Sequence, residues 1–201
     1  PGDVVMKVEN YTVMNPNVPG KKVVDDVSFE VRRGEILGIA GLMGAGRTEL
    51  VMSLFGSYPG VVTSGRVEID GKTVKIRNAE QAIQNGLALV SEDRKKYGLV
   101  LPMDIKSNVT MASLKAISSN GLLNENEEIA SSEHYMQSLR IKANSVETVV
   151  GTLSGGNQQK VVLGKWLLTS PKILILDEPT RGIDVGAKFE IYNIMNDLIR
   201  K

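Results

Sequence analysis

The sequence contains no cysteine, a single histidine and few aromatic residues. Of its 201 residues, 24 are basic and 23 are acidic, so the formal net charge is +1. The lack of cysteine excludes a disulfide framework and cysteine-ligated metal sites, and it favours a reducing compartment. The near-zero net charge creates no field that would attract nucleic acid or an anionic membrane surface. We therefore expect no nucleic acid partner.

Long apolar runs are also missing from the sequence. No segment approaches the roughly 18 apolar residues of a membrane span, and residues 1–20 lack the basic start and apolar stretch of a signal peptide. At 42% hydrophobic content, a chain of this length can bury roughly 70% of its unfolded surface, which supports one core with room for a satellite subdomain. We expect any membrane association to come through a partner subunit.

The hydrophobic pattern predicts an α/β chain. Short β-branched runs predict strands over residues 4–8, 23–31, 65–69 and 73–76, with the second and third of them in antiparallel arrangement. Apolar runs predict a strand over residues 35–40, a buried strand over 87–90 and a fully buried parallel strand over 173–176. Helical spacing predicts helices over residues 48–55, 79–84, 157–168 and 185–199, and the stretch 104–150 is rich in helix formers.

A glycine-rich loop follows the predicted strand 35–40. The loop Gly41–Thr48 has the spacing Gly-x-x-x-x-Gly followed by Arg47 and Thr48, which is typical of a loop whose backbone N–H groups cradle phosphate at a helix N-terminus. Thr48 would place its hydroxyl on Mg²⁺. Arg47 stands where a lysine is usual, and its longer, forked side chain predicts that phosphate binding survives while catalysis suffers. The alternative is an ordinary glycine turn between strand and helix.

Two acidic residues follow the apolar run 173–176. Asp177 and Glu178 would lie at the end of a buried strand, where Asp177 can hold Mg²⁺ through water and Glu178 can polarise an attacking water. The alternative is a pair of acids that cap the next segment.

A second anion-binding element is predicted at the start of the helix over residues 157–168. Ser154, Gly155 and Gly156 combine a hydroxyl with two bare backbone amides. A second such nest makes sense if it closes over a nucleotide held by a neighbouring subunit or half. The alternative is a plain helix cap.

Together these three elements resemble the nucleotide-binding domain of ABC transporters, with Leu153–Asn157 standing in for the family's signature sequence. The resemblance covers the whole chain and implies a P-loop NTPase core with an antiparallel β subdomain and a helical subdomain insert. It implies ATP and Mg²⁺ as cofactors. By the resemblance, residues 1–103 and 151–201 form the ATPase core with the β subdomain, and residues 104–150 form the helical subdomain.

The resemblance also assigns individual residues. The nucleotide-binding set it implies is Gly41, Gly44, Ala45, Gly46, Arg47, Thr48 and Glu49 for this chain's own nucleotide, and Ser154, Gly155, Gly156 and Gln158 for the partner's. The metal set is Thr48, Asp177 and Glu92, the last at the position of the family's Mg²⁺-sensing glutamine. Glu178 is the catalytic base, and Asp184 matches the family's D-loop aspartate. Tyr11 is a fallback for the aromatic residue that stacks on adenine.

Four segments narrow the resemblance to the second half of the tandem ATPases that serve bacterial monosaccharide importers. These segments are residues 44–49, 91–95, 153–160 and 177–188, and residues 69–83 are most similar to the xylose type. The implied partners are the N-terminal ATPase half or a second nucleotide-binding domain, membrane permease subunits and, indirectly, a periplasmic or extracellular sugar-binding protein. The implied place is peripheral, at the cytoplasmic face of the plasma membrane.

The chain ends before the switch histidine of this family, so we expect a C-terminally truncated domain that hydrolyses ATP weakly on its own. Two other interpretations remain open at this stage. One is a soluble ABC-type ATPase of translation or DNA repair, which would need coiled coils or a basic stripe that the sequence lacks. The other is a degenerate regulatory half that binds nucleotide and lends its signature to the partner's active site.

Overall fold

The computed structural model describes residues 2–119 and 121–200. It contains eight strands and six α-helices within these residues. The strands are β1 (Val4–Met14), β2 (Lys22–Arg32), β3 (Val61–Ile69), β4 (Lys72–Val74), β5 (Leu87–Val90), β6 (Ser118–Ser119), β7 (Leu122–Leu123) and β8 (Ile173–Leu176). The helices are α1 (Arg47–Leu54), α2 (Ala79–Gln84), α3 (Ile105–Thr110), α4 (Glu125–Ser138), α5 (Gly155–Leu167) and α6 (Val185–Leu198).

The chain divides into two compact units. The first comprises the residues up to 89 together with those from 197 onward, and the second comprises residues 90–196. No helix of the described residues has both the length and the apolar character needed to cross a membrane.

The first unit is built on an antiparallel sheet with the strand order β2-β1-β3-β4. Strand β1 therefore pairs with β2 on one side and with β3 on the other, for example Val8 with Phe29 and with Val67. Val8 and Val13 of β1 are fully buried, which gives this unit its core. The four predicted strands are present in an antiparallel sheet, but β2 and β3 each pair with β1 and not with each other. Strands β1 and β3 are longer than the β-branched runs suggested.

The predicted strand over residues 35–40 is wrong. These residues belong to no strand, and their large apolar side chains are half exposed: Ile36, Leu37 and Ile39. An apolar run forms a strand only where a neighbouring strand accepts its backbone hydrogen bonds, and the structure gives these residues no ladder.

The second unit packs α3, α4 and α5 against each other. Ile105 and Val109 of α3 and Val161 and Leu163 of α5 are fully buried. The predicted helices over 157–168 and 185–199 are confirmed to within two residues at each end. Strand β8 has the predicted bounds, but only Ile173 is buried and the next three residues are half-buried, so the expectation of a fully buried strand is wrong.

A buried lysine lies in the core of the second unit. The side chain of Lys165 is 6% exposed, donates a hydrogen bond to the backbone carbonyl of Gly98, and lies 5.0 Å from the centre of the Trp166 ring. Burial lowers the pKa of Lys165 from 10.5 to about 8. The charged form of this lysine is therefore penalised in the folded state.

We predict that replacement of Lys165 by methionine removes a pH-dependent contribution to stability. Because the folded-state pKa is the lower one, the unfolded chain binds more protons between pH 8 and 10.5, so stability rises with pH across this window. Between pH 7 and pH 10 the wild type should gain on the order of 2 kcal/mol relative to Lys165→Met. Urea denaturation at the two pH values measures this difference, and parallel stability curves for the two proteins would contradict it.

Candidate functional site

The glycine loop of the first unit adopts a conformation that requires glycine. Gly44 and Gly46 have φ angles of 81° and 83°, in the left-handed region. A Cβ on Gly46 would lie 2.1 Å from the backbone oxygen of Val23, so no side chain fits there. The Ala45 N–H donates to the Leu42 carbonyl over 3.1 Å, which closes the turn. The turn at Gly46 therefore requires a residue without a Cβ.

Helix α1 begins on this loop without a capping side chain. Gly46 is its N-cap residue and supplies no side-chain hydrogen bond. Four other helices of the described chain are capped by a side chain, namely Asn78 at α2, Asp104 at α3, Asn124 at α4 and Ser154 at α5. The first N–H groups of a helix need an acceptor, and an anion supplies one where a cap is missing. The start of α1 therefore suits a phosphate group.

Three predicted residues form the first turn of α1. Arg47, Thr48 and Glu49 are all half-buried. The stem of Arg47 folds back over the loop, since its Cδ atom would lie 3.5 Å from a Cβ on Gly41.

The acidic pair follows β8 in the second unit. The Asp177 N–H donates to the Val90 carbonyl over 2.9 Å, which fixes the end of the strand. Glu178 has a φ angle of 46°, and its carbonyl accepts from the Arg181 N–H over 3.0 Å. A left-handed glutamate is uncommon and persists only where its surroundings hold it. The structure thus presents Glu178 on a strained turn directly after the strand.

The predicted serine–glycine nest, residues 154–156, lies at the start of α5, where Ser154 is the N-cap residue. The Ser154 Oγ accepts from the Asn157 N–H over 3.4 Å and from the Asn157 amide Nδ2 over 3.0 Å. The Asn157 Oδ1 in turn accepts from the Lys142 N–H over 2.9 Å. A polar cavity of about 240 Å³ opens at this point, with Ser154, Gly156 and Asp184 in its lining. The second unit therefore brings Asp184 beside the start of α5.

The structure gives Gln158 and Asn157 different environments. Gln158 is 4% exposed and its Nε2 donates to the Val150 carbonyl over 3.2 Å, so its side chain lies inside the second unit. Asn157 was not among the predicted site residues, although it orients the Ser154 hydroxyl. Its position in the sequence could have identified it. A serine cap accepts a hydrogen bond from the N–H group of the residue three positions later, and that residue is Asn157.

Glu92 forms an ion pair with Arg181 in the second unit. Among the described residues, no group of three or more histidine or acidic side chains is arranged to hold a metal ion. The metal set Thr48, Asp177 and Glu92 stays a prediction. Tyr11 is 5% exposed, and burial raises its pKa, so it offers no free ring face to adenine and the fallback is wrong.

Curated relatives cover nearly the whole chain. The chain is 59% identical to the xylose import ATP-binding protein XylG of Moorella thermoacetica over 99% of its length, and this match spans 39% of the relative. It is 52% identical to the L-arabinose transport ATP-binding protein AraG of Geobacillus stearothermophilus over 98% of its length, or 38% of the relative. The chain thus spans about two fifths of the length of the curated relatives it matches.

Solved structures share the fold. The nucleotide-free form of an ATP-binding cassette from an ABC transporter superposes with a TM-score of 0.82 at 20% identity, covering 98% of this chain and 78% of that one. The cassette MJ0796 bound to ADP and phosphate gives a TM-score of 0.78 at 19% identity, covering 96% and 82%. These likenesses confirm the predicted fold class.

A family model described as ABC transporter matches residues 24–181, which is most of the chain. The match includes the glycine loop, the serine–glycine nest and the acidic pair. The chain belongs to the ABC transporter family.

Proposed function

We propose that this chain binds ATP at the loop Gly41–Thr48 and hydrolyses it to power the import of a simple sugar. The observation that carries the proposal is the start of α1, where left-handed glycines leave the helix N-terminus without a side-chain cap. Such a terminus binds phosphate through its backbone N–H groups. Relatives named as import ATP-binding proteins support the same activity.

Mg²⁺ fits the donor set of the proposed site. Thr48 offers a hydroxyl in the first turn of α1 and Asp177 offers a carboxylate, whereas the Glu92 carboxylate is paired with Arg181. Oxygen donors of this kind suit Mg²⁺, which usually keeps several waters and is shared with substrate phosphates. The metal would supply charge neutralisation on the phosphates, and we propose that Thr48 and Asp177 hold it.

Glu178 is the proposed general base. Its place directly after β8 and its left-handed backbone set it apart from an ordinary surface glutamate. A base must reach the attacking water, and a fixed backbone limits the positions of its carboxylate. Glu178 would orient and polarise that water.

The serine–glycine nest is proposed to serve a nucleotide held by a partner half or by a second nucleotide-binding domain. Ser154 and Gly156 line a polar cavity at the start of α5, and Gly155 lies between them in the sequence. One nucleotide does not need two such nests from one chain. Nothing in the comparisons supports the regulatory alternative, in which this chain only lends its signature to a partner.

The names of the relatives support a proposal for the sugar and the setting. Two curated relatives are named for xylose and for L-arabinose, so we propose xylose or a related monosaccharide. We propose that the chain is the C-terminal half of a tandem ATPase, with residues 104–150 as its helical subdomain. It would act peripherally at the cytoplasmic face of the plasma membrane, with permease subunits as direct partners and a sugar-binding protein as an indirect one.

We predict that Arg47→Lys leaves MgATP binding within about threefold of the wild type and accelerates hydrolysis up to roughly a hundredfold. The backbone cradle is unchanged by the substitution, whereas a compact ammonium recovers a transition-state contact of about 3 kcal/mol. Calorimetric titration measures the binding, and phosphate release measures the rate. A lysine variant that alone binds MgATP would contradict the prediction.

We predict that Glu178→Gln lowers turnover by at least roughly a hundredfold and leaves MgATP binding unchanged, because an amide cannot act as a base. Phosphate release under single-turnover conditions measures the loss. Glu133→Gln is the matched control, since Glu133 is an exposed glutamate on α4. Equal rates in the two variants would remove Glu178 from the proposed role.

A further inference from the structure

A short exposed segment links the acidic pair to α6. This segment, residues 180–184, contains Arg181, Gly182 and Asp184, and all three are exposed. Exposed loops of this kind are usually mobile, because few contacts hold them. Here the segment must nevertheless carry Asp184 to the cavity beside the serine–glycine nest.

The side chain of Arg94 holds this segment from a distant part of the sequence. Its Nη1 donates to the Arg181 carbonyl over 2.9 Å, and its Nη2 donates to the Gly182 carbonyl over 3.3 Å. The Nε is buried and has no hydrogen-bond partner among the described residues. Burial also lowers the pKa of Arg94. The guanidinium fork is therefore committed to two successive carbonyls, a geometry that its rigid planar donors suit.

The same guanidinium lies against the start of α5. A Cβ on Gly155 would lie 2.7 Å from the Arg94 Nη2 and 3.1 Å from the Gly182 carbonyl oxygen. Gly155 thus leaves the space that Arg94 and the segment occupy. This close approach places the segment directly beside the nest.

A second interaction holds Arg181. The Arg181 side chain pairs with Glu92, which follows strand β5. Arg181 is therefore held twice, through its carbonyl by Arg94 and through its side chain by Glu92. Its N–H then donates to the Glu178 carbonyl, which belongs to the residue with the left-handed backbone.

We propose that Arg94 and the Glu92–Arg181 ion pair form a latch that positions Glu178 and the segment 180–184. The left-handed backbone of Glu178 costs free energy and needs surroundings that hold it. The latch supplies them through Arg181. Arg94 and Arg181 are positioning residues in this account, and the inference rests on the proposed function only where it concerns the rate of hydrolysis.

The latch is tested without nucleotide by hydrogen–deuterium exchange of the peptide that covers residues 178–184. Arg94→Met removes the donors and keeps a stem of similar length, whereas Arg94→Lys keeps the charge and loses the fork. We expect exchange at the Arg181 amide to accelerate roughly tenfold in Arg94→Met, since a hydrogen bond to a charged group is worth that factor or more. Arg94→Lys should fall between the wild type and Arg94→Met.

Lys95→Gln is the matched control, because Lys95 is an exposed cation in the same turn. Its exchange should equal that of the wild type. Unchanged exchange in Arg94→Met, with an unchanged Tm, would overturn the latch.

Variants of the Glu92–Arg181 ion pair test the latch with Arg94 unchanged. Glu92→Arg and Arg181→Glu should each accelerate exchange in residues 178–184, and the double variant should return it to within about twofold of the wild type. A double variant that exchanges as fast as either single one would overturn this half of the latch. The ion-pair variants also test the latch if Arg94→Met fails to fold.

Hydrolysis kinetics separate the latch from the proposed function. With the latch broken, kcat for MgATP should fall roughly tenfold while KM changes by less than about twofold, because positioning of a base acts in the transition state. Equal losses in Lys95→Gln, or a change confined to KM, would overturn the positioning role. If the wild type shows no turnover, the proposed function fails. The hydrogen–deuterium exchange data still test the latch, because they are measured without nucleotide.

Discussion

The glycine at position 46 is the constraint on which the proposed phosphate site depends. Its left-handed backbone and the carbonyl of Val23, 2.1 Å from the place of a Cβ, exclude every side chain. Helix α1 consequently starts without the capping side chain that other helices carry. An anion completes such a terminus, so the missing side chain and the phosphate preference have one cause.

In the second unit, glycines also allow neighbouring groups to approach the backbone closely. Gly155 leaves room for the guanidinium of Arg94, which binds two successive carbonyls of the segment after Glu178. Gly156 similarly allows the start of α5 to approach Ala187 at the start of α6. Because Gly155 has no side chain, the Arg94 guanidinium and the loop after β8 can lie close to the start of α5.

The sequence predicted best those elements whose signals are local. The bounds of α2 were correct because the cap Asn78 and the terminal Asn85-Gly86 lie beside the helix. The strand over residues 35–40 was wrong, since ladder formation depends on a neighbouring strand that composition does not show. The Arg94 contacts span more than 80 residues along the chain, so no local pattern could reveal them. Sequence spacing likewise did not show that Gln158 lies inside while Asn157 orients Ser154.

We expect the backbone of the glycine loop to recognise phosphate. Calorimetric titrations of the chain with MgATP, magnesium tripolyphosphate and adenosine measure this recognition. The account predicts that tripolyphosphate binds within roughly tenfold of MgATP and that adenosine binds at least about a hundredfold more weakly, because recognition comes from the N–H groups at the start of α1. Adenosine binding as tight as MgATP, or no binding of MgATP, would contradict the account.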